Sequence, residues 1–342
     1  MGNLIQVKDL TVSFYTYAGE VQAVRGIDFA IEDGKTTALV GESGCGKSVT
    51  SKALMGLIEK PGVIKEGSSI SYAGENILEF SQKQWQNFRG KECSMIFQDA
   101  LVALNPTMKV GKQIIENLKN HNDEKLSRAQ MRQKAVEMLS LVGIPDPEQC
   151  LEKYPHELSG GMRQRVMIAT AMITRPALLI ADEPTTALDV TIQAQILELM
   201  KDLQKKLGMA IIMITHDLGV VADMCDNIIV MYAGKIVEKG TADDIFYNPR
   251  HPYTWALMNA VPRLDLDNKE ALVTIEGTIP DMIHPPKGCA FCSRCPYAMN
   301  VCAEYAPEML TLNATHQVSC WLTDSRADKS DISFLNGGAD NG

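Results

Sequence analysis

Gly41-Glu42-Ser43-Gly44-Cys45-Gly46-Lys47-Ser48 follows the apolar stretch Thr36 to Val40 and leads into a helix-compatible segment. Its spacing is that of a G-x-x-x-x-G-K-S loop set between a strand and a helix. The glycines let backbone N–H groups turn inward onto phosphate oxygens, so the loop can cradle an anion. Lys47 then reaches the β and γ phosphates of a nucleotide, and the Ser48 hydroxyl suits Mg²⁺. The motif predicts nucleotide contacts from Gly41, Ser43, Gly44, Cys45, Gly46, Lys47, Ser48 and Val49, with Cys45 as a small filler and not a reactive thiol.

Downstream, Ala177-Leu178-Leu179-Ile180-Ala181 reads as a buried strand ending in Asp182-Glu183-Pro184. Two carboxylates then stand at the carboxyl end of a parallel strand, the edge where such sheets bind ligands. Asp182 suits a Mg²⁺ contact, and Glu183 suits polarising an attacking water as general base. With the glycine-rich loop, this pair points to a P-loop NTPase. Around both motifs, short apolar runs alternate with amphipathic stretches over the first 245 residues, the pattern of an α/β domain. Val190 to Gly208 has helical periodicity with a glycine at its C-cap, and it feeds a strand at Met209 to Ile214. The run from Asn227 reads as two strands joined by a tight turn at Ala233 and Gly234.

Composition narrows the function. The 342 residues, 45% hydrophobic and 22% charged, suffice for one large domain plus a smaller one. A net charge of −9, from 42 acidic and 33 basic residues, argues against wrapping nucleic acid on a basic face. The N-terminus does not read as a secretory signal, and no apolar run approaches the roughly 20 residues needed to cross a bilayer. A cytoplasmic chain is expected, and any role in transport then requires separate membrane-spanning partners.

Leu158-Ser159-Gly160-Gly161-Met162, followed by Arg163-Gln164-Arg165, decides between NTPases. It resembles the LSGGQ signature of ABC-transporter ATPases, with Met162 in place of glutamine. Physically it is a Ser-Gly-Gly turn at a helix N-terminus, itself an anion site. In that family Ser159, Gly160, Gly161 and Met162 would face the γ phosphate of ATP held by the opposite subunit. The resemblance further makes Gln98 the glutamine that senses Mg²⁺ and the attacking water. Asp189, in Thr186-Ala187-Leu188-Asp189, would belong to the D-loop, and His216 would be the switch histidine on the γ phosphate. For the aromatic that stacks on adenine, Phe14, Tyr15 and Tyr17 compete, and Phe14 aligns best by counting from the first strand.

Two further stretches are similar to the ATPases of oligopeptide and dipeptide importers: Gln98 to Ile114, and Asn248 to Pro262. The resemblance implies an ABC ATPase domain at 1–245 with an antiparallel β-subdomain and a helical subdomain near 99–165. A C-terminal extension is expected at 246–323, where Pro249, Pro252, Pro262, Pro280, Pro285, Pro286, Pro296 and Pro307 break any long element. Residues 324–342 are polar and are expected to be an unstructured tail.

The extension holds Cys289, Cys292, Cys295, Cys302 and Cys320. In a reducing compartment such density favours metal binding over disulfides. Spacing alone does not choose between zinc and iron–sulfur. Similarity to the peptide-importer ATPases implies a [4Fe–4S] cluster on Cys289, Cys295, Cys302 and Cys320, with Cys292 the extra thiol. The family further implies a heterodimer with a second ABC ATPase, two permease subunits, an indirect link to a solute-binding protein, and a peripheral position on the cytoplasmic face of the membrane. Nickel or another small solute is an alternative cargo. A soluble ABC ATPase acting on nucleic acid, with the cysteines binding zinc, ranks lower, because such chains carry two cassettes or long coiled coils.

Overall fold

The three strands Cys93–Ile96, Leu178–Asp182 and Ala210–Ile214 are buried at every position but are only four or five residues long. Continuous burial of this kind demands a parallel sheet covered on both faces. In the computed structural model, which describes residues 2–121, 124–186, 188–260, 275–330 and 332–336, the three pair in parallel, with Leu178–Asp182 in the middle. They belong to the first of two compact units, made of residues 1–4, 31–35 and 76–214.

Helices pack around this sheet for legible reasons. Val190–Leu207 buries Ile196, Leu197, Met200 and Leu203 along one stripe and stops at Gly208, whose φ of 66° suits a left-handed cap. The segment expected to be helical near 99–165 carries Ala100–Ala103, Val110–Asn120, Arg128–Leu141, Pro147–Cys150 and the start of Gly160–Met172. Arg128–Leu141 opens on a reciprocal cap, in which the Ser127 hydroxyl accepts from the Gln130 N–H and the Gln130 side chain accepts from the Ser127 N–H.

The second unit comprises residues 5–30, 36–75 and 215–342. Its first sheet is built on Asn3–Thr16, which pairs antiparallel with Gly62–Ile64 and with Ser69–Tyr72. Ile5, Val7, Leu10 and Val12 of that strand are buried while residues between them face outward. The second sheet joins Thr36–Val40 in parallel to Asn227–Tyr232, which turns back into Lys235–Thr241. Both turn residues are left-handed, Ala233 at φ 45° and Gly234 at φ 75°, as a two-residue hairpin requires.

The described residues beyond 246, expected as a separate module, fall in this same unit, while 261–274 of that expected extension lie outside the described residues. Gln317–Val318 pairs with Lys235–Thr241 and with Leu310–Thr311, so the chain's late strands extend the sheet that carries Thr36–Val40. The tail also departs from expectation. Ile332 is buried, and the Phe334 ring stacks on Trp255 with centroids 5.4 Å apart and lies 5.7 Å from Tyr297. Two aromatic partners far away in the chain, one on the helix Pro252–Asn259 and one in a turn, are invisible in a local composition. Residues 337–342 lie outside the described residues. Among the described residues no helix is long and apolar enough to cross a membrane.

Candidate functional site

In the second unit, the glycine-rich loop links the strand Thr36–Val40 to the helix Lys47–Leu54. Gly41, Gly44 and Gly46 have φ of 145°, 82° and 104°, a region that residues with a Cβ rarely enter. A Cβ at Gly46 would also stand 2.6 Å from the Ala23 carbonyl oxygen. Lys47 is 6% exposed, and its ammonium donates to the carbonyls of Gly41 at 2.7 Å and Glu42 at 3.0 Å. Its charge is thus held against the backbone of the loop's first two residues. Burial raises the Cys45 thiol above its ordinary pKa, against the pull of Lys47 beside it, so the group is held as a neutral filler. His216 is exposed, and the next residue, Asp217, caps Leu218–Met224 by accepting from the N–H groups of Gly219 and Val220.

Glu42, inside the loop, has partners that local sequence reasoning missed. Its backbone N–H donates to the Tyr253 hydroxyl at 2.8 Å. Its carboxylate accepts from both terminal nitrogens of Arg294, at 2.6 and 2.9 Å. No local signal could reveal a contact 252 positions away in the chain.

In the first unit, Asp182 closes the strand Leu178–Asp182 and is 8% exposed. Glu183 follows with φ 47°, a left-handed conformation costly for a residue with a side chain. Strain of this kind persists only where surrounding contacts enforce it, and it gathers at functional sites. Here the Glu183 N–H is tied to the Ile214 carbonyl at 2.9 Å, while its carboxylate accepts from Gln98 Nε2 at 2.7 Å and from the Thr186 hydroxyl at 3.0 Å. Gln98 and Glu183, singled out separately in the sequence, are therefore direct partners.

The signature segment is a helix start. Ser159 caps Gly160–Met172 by accepting from the Met162 N–H at 3.3 Å. A Cβ on Gly161 would lie 3.0 Å from Ile192, so a glycine lets the turn approach the next helix. Asp189 caps that helix, Val190–Leu207, by accepting from the Ile192 N–H at 3.0 Å. Ala187 of the expected D-loop lies outside the described residues.

The three aromatics differ in freedom. Phe14 is half-buried on a strand, its ring over Gly62. Tyr15 is engaged by Lys65 through its hydroxyl and through its ring face, 4.8 Å from the ammonium. Tyr17 is fully exposed.

The C-terminal cysteines lie within electrostatic range of one another. Burial, with further pressure from neighbouring thiols, pushes Cys289 up to about 11 and Cys295 up to about 12. Cys320 is raised too, first by burial and then by Cys289, Cys295 and Cys302. Cys292 is raised by burial and by Cys302. Among the described residues, no three His, Cys, Asp or Glu side chains converge tightly enough to hold one metal ion. A single zinc needs its thiolates at about 2.3 Å from one point. A four-iron cluster gives each cysteine its own iron, so no three sulfurs need share a centre. The [4Fe–4S] cluster expected on Cys289, Cys295, Cys302 and Cys320 finds no metal site among the described residues.

Residues 24–186 match the ABC transporter family, and residues 237–302 match the C-terminal region of oligopeptide and dipeptide transporters. The oligopeptide transport ATP-binding protein OppD of Bacillus subtilis is 58% identical over 95% of this chain and 90% of its own length. The dipeptide transport ATP-binding protein DppD of the same organism is 52% identical over 97% and 98%. Among solved structures, a dimeric ATP-binding cassette in a post-hydrolysis state with ADP and phosphate aligns with a TM-score of 0.63 at 23% identity, over 70% of this chain and 98% of that one. The protein cbiO1 of Clostridium perfringens, part of an ABC transporter complex, aligns with a TM-score of 0.62 at 29% identity, over 72% and 92%.

Proposed function

The chain belongs to the family of ATP-binding subunits of oligopeptide and dipeptide ABC importers, and from that membership we propose how its residues divide the work of ATP hydrolysis. It is the ATPase subunit that energises peptide uptake, acting with permease subunits in the membrane. The glycine-rich loop binds the phosphates through its backbone N–H groups, and Lys47 takes the β and γ phosphates. Ser48, Asp182 and Gln98 would hold Mg²⁺, which supplies charge neutralisation at the phosphates. Glu183 polarises the attacking water, and His216 steadies the γ phosphate.

The observation that carries this reading is Glu183 itself: a strained backbone and a carboxylate oriented by Gln98 at 2.7 Å and Thr186 at 3.0 Å. A base held by two donors keeps its direction at the cost of local strain, which is what a catalytic group needs. Replacing Glu183 by Gln should preserve ATP binding and reduce turnover by about 10²- to 10⁴-fold, the usual worth of a positioned base. Near-normal hydrolysis by that variant, assembled with its partner, would remove Glu183 from the role.

Ser159, Gly160, Gly161 and Met162 act on ATP held by a second ABC ATPase, in a heterodimer, with Asp189 at the shared interface. Closure on ATP and reopening after hydrolysis drive the permeases, from the cytoplasmic face, with a solute-binding protein delivering the peptide outside. For the adenine, the freedom of the Tyr17 ring favours it over Phe14, the sequence-based choice. Cys289, Cys295, Cys302 and Cys320 hold a [4Fe–4S] cluster for structure or regulation. The mutual electrostatic range of these thiols supports a shared site, and Cys292, within the same range, is left out on the family pattern alone.

A further inference from the structure

An acidic residue inside a loop that must receive a polyphosphate is a liability, because like charges repel most where water is scarce. Glu42 is such a residue, and Arg294 answers it. The Arg294 side chain is 4% exposed and that of Glu42 28%, and the two meet in a fork of 2.6 and 2.9 Å. All the other guanidinium donors are used as well. Nε donates to the Glu276 carbonyl at 2.9 Å, and the terminal nitrogens reach the Ile275 carbonyl at 3.0 Å and the Tyr232 hydroxyl at 3.2 Å. Five N–H donors in a rigid plane, each with an acceptor, fix the carboxylate's position as well as its charge. A second anchor acts on the backbone of the same residue, through the fully buried Tyr253 hydroxyl. Tyr253, Tyr232 and Phe291 pack together, with ring centroids 4.7 to 5.3 Å apart, and hold both anchors in register.

We propose that Arg294, with Tyr253, is a positioning residue for ATP: a clamp from the C-terminal segment that draws the Glu42 carboxylate away from the incoming phosphates and fixes the first turn of the phosphate loop. This rests on the ATPase reading above. Arg294 stands on the short turn between Cys292 and Cys295, so whatever sets the conformation of that turn also sets the clamp. The cysteine-bearing segment thereby gains a mechanical route to ATP affinity that needs no contact with the nucleotide.

The test is Mg-ATP binding by the full chain, read with a fluorescent ATP analogue, with Lys47→Ala as the non-binding control. Arg294→Ala should raise Kd about tenfold, since a charge-assisted pair is worth one to two powers of ten. Adding Glu42→Gln to Arg294→Ala should bring Kd back toward the wild-type value, because the unanswered charge is then gone. A merely structural arginine would show no such recovery. Arg294→Lys keeps the charge without the fork and guards against misfolding of the alanine variant; it should weaken binding about threefold. Wild-type affinity in a folded Arg294→Ala or Arg294→Lys protein would overturn the clamp, as would an Arg294→Ala defect that Glu42→Gln leaves untouched. Failure of the wild type itself to bind Mg-ATP would instead bring down the ATPase reading on which the clamp stands.

Discussion

The phosphate loop and the Glu183 corner are fixed in place by opposite means. The loop is shaped locally, by three glycines in left-handed conformations, and then tied down by residues 211 and 252 positions away. The corner is strained locally, at one glutamate with φ 47°, and is held by a glutamine 85 positions earlier and a threonine three positions later. Where function needs only backbone donors, glycine supplies the geometry cheaply. Where it needs a side chain in a particular direction, the backbone is forced and other side chains hold it there.

Breaking each region should therefore produce different defects. Gly46→Ala attacks the loop itself, since the new Cβ would meet the Ala23 carbonyl oxygen at 2.6 Å with φ at 104°. Strain of about 1–3 kcal/mol should weaken ATP binding by about 5- to 150-fold, visible in equilibrium titration. Gln98→Ala attacks the corner. It should leave ATP binding without Mg²⁺ near normal and lower turnover by about tenfold, the worth of one hydrogen bond to a charged group. If Gln98→Ala weakened binding as much as Gly46→Ala, the division between a binding region and a catalytic region would fail.

The smallest effect on hydrolysis should come from the cysteines, which lie outside both regions. Serine at Cys289, Cys295, Cys302 or Cys320 should remove the broad visible absorbance, iron and sulfide of anaerobically purified protein, whereas Cys292→Ser should retain them. Hydrolysis should change only modestly, and through ATP affinity, in Cys295→Ser, because Arg294 is its neighbour. Colourless wild-type protein with one zinc per chain would sink the cluster and leave the ATPase assignment standing.

Legibility in the sequence followed the range of the interactions. The loop, the strand ending at Asp182, the helix Val190–Leu207 and the Ala233–Gly234 turn all carry their signal within a few residues, and each lies where periodicity and turn chemistry put it. Gln98 and Glu183 were legible as motif positions, but not as hydrogen-bond partners, since pairing across 85 residues leaves no local trace. The Arg294 fork, the two-residue strand Gln317–Val318 and the Phe334–Trp255 stack were not legible at all. Strands of two residues have no period, and a lone arginine between cysteines looks like any solvated charge.

The most direct test of the account joins hydrolysis to transport. In proteoliposomes holding the permeases, this chain and the proposed second ATPase, with the proposed solute-binding protein and labelled peptide on the opposite side, peptide should accumulate only with Mg-ATP. Substituting Glu183→Gln in this chain should leave ATP bound and bring accumulation down with turnover. Undiminished peptide accumulation by the Glu183→Gln assembly, or accumulation without ATP, would contradict the claim that hydrolysis at this chain's Glu183 powers uptake.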